Sequence, residues 1–355
     1  MDTLTHALSG ALLARATAPS KPRPDELTPG ARMVAGSVAA AFPDCDFALR
    51  LIDTLTYLNW HQGVTHSVAL LPVWALLLAG LFSRFAHRRY RWQAFFGVAF
   101  LGIAIHIAAD LFTAYGTMLL APFSTQRFSL PFAFVIDPYF SALMAASLAA
   151  AILTPARRHP AVIGFIVLGC YVGLLGVLYA RAVGIGKAYA AKHGLLEATI
   201  HALPQPPTPF NWKVIVSHRD NYHVALVNLW RRRSASPPAL DAGMLRKIAV
   251  GYRPVSEAVW QCHGRFSLAT MTETAPQEAL AREAWNHEAF ADFRRFAMFP
   301  TLDRIEYSGD RVCVWFHDLR FTLPSLPPSF QYGLCRSGSA DDWQLARGHS
   351  AFWID

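Results

Sequence analysis

Apolar positions in the first half of this chain form long unbroken runs, and that pattern stops near residue 185. Four runs reach or approach spanning length: 67–83, 93–112, 132–153 and 161–180. A helix needs about 20 apolar residues to traverse the hydrocarbon layer. Two shorter runs, 3–18 and 31–43, are marginal; they read as a helical hairpin packed among the others, with peripheral helices as the alternative. Beyond residue 210 the pattern changes. Residues 212–230 and 304–323 alternate around polar turns at Arg219–Asn221 and Ser308–Asp310, which predicts β-hairpins. Between them 276–298 has helical character.

The connections between the apolar runs are basic, with Arg84, Arg88, Arg89 and Arg91 in one and Arg157 and Arg158 in another. Cationic loops remain on the cytoplasmic side. Together, pattern and charge predict an all-α membrane bundle over 1–185, with six apolar helices in three hairpins. The loop 19–30 (Lys21, Arg23) falls inside. A Pro-rich linker follows at 186–210, containing LPQPPTPF, and then a soluble α+β domain over 211–355 outside the cytoplasm. This places the chain in a bacterial-type inner membrane as a multi-pass protein. The N-terminus does not read as a cleaved leader, because no Lys or Arg precedes the first run and Arg15 lies near its end.

Composition adds little to this picture. The hydrophobic fraction is 53% and the mean hydropathy +0.25, averages over two unlike halves. The net charge of +8 lies largely in short membrane loops, which argues against a nucleic-acid partner. Five cysteines show no CxxC spacing, so neither a zinc ribbon nor a redox motif is present. Three of them (Cys262, Cys313, Cys335) lie in the second part, where one disulfide is compatible with an external location.

The informative polar residues sit at the ends of the apolar runs. His106 and Asp110 share a helix face, and an Asp at membrane depth usually marks function. The pair fits a metal-binding HxxxD motif, a buried His–Asp hydrogen bond or a proton relay. Asp44 and Asp46 flank Cys45 after a proline turn; they can cap a following helix or bridge metals. His61 and His66 precede a hydrophobic helix for which Thr65 or Ser67 is a natural cap, but capping requires no histidine there. His6 lies in the first helical turns. With the orientation above, Asp2/His6, Asp44/Asp46, His61/His66 and His106/Asp110 all arrive at one membrane face. Imidazole and carboxylate together suit a divalent cation such as zinc.

MDTLTHALSGALLA, FPDCD, HQGVTHS, HIAAD followed by TAYGT, and PFSTQR with a later DP together resemble the YdjM-like family of predicted membrane-bound metal-dependent hydrolases, over roughly residues 1–140. The chain has Gln62 where that family more usually has Arg. The pattern is also distantly similar to zinc-dependent phospholipase C and related single-strand nucleases, all-helical enzymes whose His and Asp ligands hold zinc. That resemblance implies ligand roles for His106 and Asp110, with His6, Asp44 or Asp46, and His66 as their counterparts. The residues themselves add His61, so the metal candidates are His6, Asp44, Asp46, His61, His66, His106 and Asp110. The later HxxxE pair of those enzymes has a weak counterpart in His193/Glu197, so one or two ions are expected and not three.

The sequence reading is therefore a membrane metal-dependent hydrolase acting on a phosphoester in a lipid or lipid-linked substrate. Asp46 or Asp110 would be the general base, and Arg127 in the outer loop 113–131 a phosphate clamp or a lipid-headgroup contact. Asp137 ahead of Pro138 would support a ligating His or open a turn. A transporter with a His/Asp relay, or a membrane scaffold with structural histidines, are the competing classes.

Overall fold

The structure is a computed structural model that describes residues 1–19, 23, 25–154, 157–236, 243–268, 275–338 and 342–348; Lys21 lies outside them. The chain divides into two compact units, Met1–Val177 and Leu178–Asp355.

The first unit is helical. Its main elements are α1 (Thr3–Ala16), α2 (Pro29–Ala41), α3 (Thr54–Trp60), α4 (Leu71–Phe85), α5 (Trp92–Asp110), α6 (Pro138–Leu153) and the start of α7 (His159–Lys192). Each apolar run therefore contains a helix. Among the described residues two helices, α5 and α7, are long and apolar enough to cross a membrane. Residues Thr54–His66 and α4 would make a third span, broken by a bend of 80°.

Several boundaries differ from the sequence reading for local reasons. The run from residue 67 turns helical only at Leu71, with Pro72 in its first turn. Ser67 and Val68 are instead tied to the Leu119 carbonyl. Run 132–153 becomes helical only at Pro138, because Asp137 caps α6 through the Tyr139 and Phe140 amides. The Asp137 carboxylate also accepts from the Tyr171 hydroxyl (2.8 Å), so it belongs to this cap and not to a histidine. Phe42–Leu51 forms a 3-10 helix, and the cap of α3 is Asp53, not Asp46.

Three helices meet through glycines. A Cβ on Gly10 of α1 would lie 2.1 Å from the Gly36 carbonyl oxygen of α2, and one on Gly102 of α5 would lie 2.9 Å from the same atom. Backbones can approach this closely only where side chains are absent, a common device between membrane helices. His6 lies one turn before Gly10 and His106 one turn after Gly102. The close helix approach is what brings the two rings together.

The second unit carries two sheets. The first contains β1 (Thr199–Gln205), β2 (Asn211–His218), β3 (Asn221–Asn228), the two-residue β4 (Arg253–Pro254) and β5 (Trp260–Gly264). The second is β6 (Pro300–Ser308), β7 (Arg311–Asp318), β8 (Tyr332–Ser337) and β9 (Gln344–Arg347), in that order. Both expected hairpins form, β2–β3 and β6–β7. Helices α8 (Met244–Val250), α9 (Ala275–Asn286) and α10 (Ala291–Phe296) complete the unit.

The stretch expected to be a Pro-rich linker is built into the first sheet. Leu203, Pro204 and Gln205 pair with Lys213, Trp212 and Asn211, and Pro206 and Pro207 make the turn. Pro204 is tolerated because β1 is an edge strand, where a missing N–H need not cost a ladder bond. Cys313 and Cys335 oppose each other on β7 and β8 and form a disulfide.

Candidate metal centre

Four side chains from three elements converge at the C-terminal end of α5. His6 (α1), Asp44 (the 3-10 helix), His106 and Asp110 (α5) each offer a ligand atom, all within 4.8 Å of one another. His6, His106 and Asp110 are essentially inaccessible, while Asp44 keeps 15% of its side chain exposed and marks an open side. The His6 and His106 rings stack at 3.6 Å. His66 joins from the segment before α4, its Nε2 lying 2.8 Å from His106 Nε2 and 3.2 Å from Asp110 Oδ2.

The hydrogen bonds around the cluster set the direction of each lone pair. His106 Nδ1 lies 2.6 Å from the Ala40 carbonyl oxygen, which can only accept, so Nδ1 carries the proton and Nε2 faces inward. On His66 the chain of donors is longer. Thr65 Oγ1 donates to Asp46 Oδ2 (3.2 Å) and can therefore accept from His66 Nδ1 (2.9 Å), which again leaves Nε2 bare. Two imidazole lone pairs then face each other in a buried site, an arrangement that calls for a cation between them. Two further buried atoms, His6 Nδ1 and Asp110 Oδ2, have no hydrogen-bond partner. Buried polar atoms are normally paired, and their absence of partners here fits a metal. Three imidazoles and two carboxylates can hold one; this donor set suits zinc, copper, iron or nickel. The Met1 amine also lies against Asp110 Oδ1.

Beside the cluster lies a second group. Asp46 accepts hydrogen bonds from His61 Nδ1–H (2.8 Å), the Gln62 amide (3.0 Å) and the Thr65 hydroxyl. Burial pushes its carboxyl up, but the hydrogen bonds from His61 and from the Gln62 amide help hold it below the usual carboxylate range. Asp46 thus positions two histidines. His61 packs against Tyr57 and Tyr115 and keeps 16% of its side chain exposed.

Arg127 is placed differently from an anion clamp. Its guanidinium donates to the carbonyls of Leu58, Asn59, His61 and Gly116, with distances of 2.7–3.4 Å, and covers the Tyr115 ring. The Leu58, Asn59 and His61 carbonyls end α3 and Gly116 follows α5, so Arg127 holds the loop carrying His61 against the segment after α5. Gln62, buried at a positive φ of 58°, accepts from the Thr117 hydroxyl and the Met118 amide in the same junction. Asp2 caps α1 through Thr5. His193 and Glu197 belong to the second unit, where His193 Nδ1 turns to the Tyr189 carbonyl.

Thr3 donates its hydroxyl to Asp44 Oδ2 (2.6 Å), a contact that no spacing in the sequence marks. The sequence marks Thr65 only as a helix cap. In both cases the available clue was a hydroxyl close in sequence to a candidate ligand.

Residues 1–182 match the family model described as YdjM inner membrane protein, about half of the chain. The chain belongs to this family. The match covers the helical unit, including every residue of the His/Asp cluster. Among curated proteins the chain is 26% identical to "Uncharacterized protein YfhP" of Bacillus subtilis over 230 residues, which is 63% of this chain and 67% of that one. No solved structure matches.

Proposed function

We propose that this member of the family is an integral membrane metal-dependent hydrolase of a phosphoester in a lipid or lipid-linked substrate. The observation that carries the reading is the pairing of a buried His/Asp metal group with an Asp46–His61 dyad on its more open side. A bound divalent cation, zinc by donor chemistry and present as one or two ions, would lower the pKa of its water and polarise the scissile group. Asp46 holds the Nδ1 proton of His61, which leaves Nε2 to take up a proton from the attacking water. His6, Asp44, His66, His106 and Asp110 are the ligand candidates, and Asp46 acts by orienting His61 and His66. The tyrosine rings against His61 limit its rotation, so the proton acceptor is held in one orientation.

A lipid substrate is supported by what surrounds the site. Leu4, Phe47 and Leu51 lie on the elements that carry Thr3, His6, Asp44 and Asp46, Ile52 directly follows, and all four are at least half exposed. Apolar side chains of this kind suit the interface between headgroups and acyl chains. The Cys313–Cys335 disulfide supports an oxidising, extracytoplasmic location for the second unit, because disulfides persist there and not in the cytosol.

The purified chain, loaded with zinc in mixed micelles of bacterial phospholipids, is expected to release headgroup or phosphate. Chelation, His106→Ala and His61→Ala should each abolish the release. A chain that retains zinc yet cleaves no phospholipid or lipid-linked phosphate would end the proposal.

A further inference from the structure

The α4–α5 hairpin carries a cavity of about 340 Å³ at its connecting loop, lined among others by Gly80, Arg84, Arg88, Tyr90, Arg91 and Trp92. It lies at the opposite end of α5 from His106, about 20 Å away along the helix. Among the described residues no hydrogen bond or ion pair engages the guanidinium of Arg84, Arg88 or Arg91. Orientation by positive charge requires basic residues in this loop, but it does not require them to converge on a hollow. Three cations around one cavity repel each other, and an anion inside relieves that repulsion.

The local backbone favours the arrangement. His87 and Arg88 both adopt positive φ, 48° and 57°, a conformation that side chains disfavour. This tight turn brings Arg88 to the same hollow as Arg84 at the end of α4 and Arg91 at the start of α5. A Cβ at Gly80 would meet nothing within 4 Å, so the α4 side of the cavity is open space. Leu77 and Leu81, both about half exposed, lead along α4 toward Arg84. Exposed Phe85 and Trp92 flank the loop, and Trp at such a position suits the headgroup level.

We infer that this cavity binds the phosphate of an anionic phospholipid headgroup, with an acyl chain lying along Leu77 and Leu81. Guanidinium groups grip phosphate oxygens bidentately, and basic pockets between membrane helices suit such headgroups. The apolar path is what favours a lipid over a free phosphate. The inference does not depend on the metal centre being catalytic.

Native mass spectrometry of the full chain, purified with equal phosphatidylglycerol and phosphatidylcholine, reads out retained lipid directly. Phosphatidylglycerol should be retained preferentially, and millimolar inorganic phosphate should not displace it. Gly80→Leu fills the hollow without changing charge. Arg84→Gln with Arg91→Gln removes two guanidiniums while Arg88 and Arg89 stay to hold orientation. Each variant should lose retention by roughly tenfold. Wild-type retention in Gly80→Leu, or in the double variant should Gly80→Leu fail to fold, would overturn the site. Displacement by inorganic phosphate would overturn the lipid assignment.

Discussion

His66 Nε2 and His106 Nε2 face each other across 2.8 Å in a buried site, although the two residues come from different helical segments. Each imidazole has its other nitrogen committed elsewhere, His106 to the Ala40 carbonyl and His66 toward Thr65 and Asp46. Two lone pairs held this way could hold a cation between them. His66→Ala and His106→Ala should each weaken metal binding by at least about 100-fold while the helical content survives. Metal content of the detergent-purified variants measures this, and stoichiometric metal in both would remove the cluster from consideration.

The glycine contacts predict a loss at a distance. Gly36→Ala places a methyl 2.6 Å from the Gly10 carbonyl oxygen, which must push α1 away from α2. Overpacking of this kind costs about 1–3 kcal/mol. The displacement also separates His6 from His106 without touching either. The expected outcome is a lower melting temperature together with weaker metal binding. If binding is unchanged, the helix approach does not set the ligand geometry.

Asp46 and the ligands should separate experimentally. Asp46→Asn keeps the shape but can no longer accept from His61, Gln62 and Thr65 as a carboxylate does. Turnover should fall by about 10²- to 10⁴-fold, the range for general acid–base groups, while metal remains bound. Loss of metal in parallel with activity would make Asp46 a ligand instead.

The second unit should depend on its disulfide. Cys313 and Cys335 are separated by 22 residues, and a loop of this size is worth about 3 kcal/mol. Cys313→Ser with Cys335→Ser should lower the urea midpoint of this unit, and dithiothreitol should do the same to the wild type. Equal midpoints with and without reductant would contradict this.

Acid should destabilise the second unit in a defined window. Burial, aided by the charges of His317 and Lys213, lowers the His263 imidazole to about 4, and burial lowers His201 and His223 as well. The unfolded imidazole takes up its proton near 6.5. The unfolded chain therefore binds more protons between these values. Stability is complete above pH about 6.5 and falls as pH drops toward about 4. Thermal midpoints should follow this course, with a shallower fall in His263→Gln; a flat profile over that range would refute it.

Much of the helical unit was legible in the sequence because unbroken apolar runs leave few alternatives to helices. HxxxD on such a run was readable for the same reason: spacing alone puts His106 and Asp110 on one face. The α4 and α6 boundaries were less legible. They depend on Leu119, distant in sequence, and on the choice of Asp137 as a cap over other uses. Proline content marked 203–210 as a spacer, since composition does not reveal that Trp212 and Lys213 offer this stretch an edge to pair with.

Arg127 shows the same limit at the candidate site. An arginine in a loop could serve an anion or the backbone, and only the fold brings four carbonyls to it. By itself the sequence determined which residues could be ligands and on which helices they lie, because helical periodicity is local. Tertiary structure decided that His6, Asp44, His66, His106 and Asp110 meet while Asp46 and His61 stand beside them. Their meeting depends on how closely α1, α2 and α5 approach at Gly10, Gly36 and Gly102. That distance is set by contacts between segments far apart in the chain.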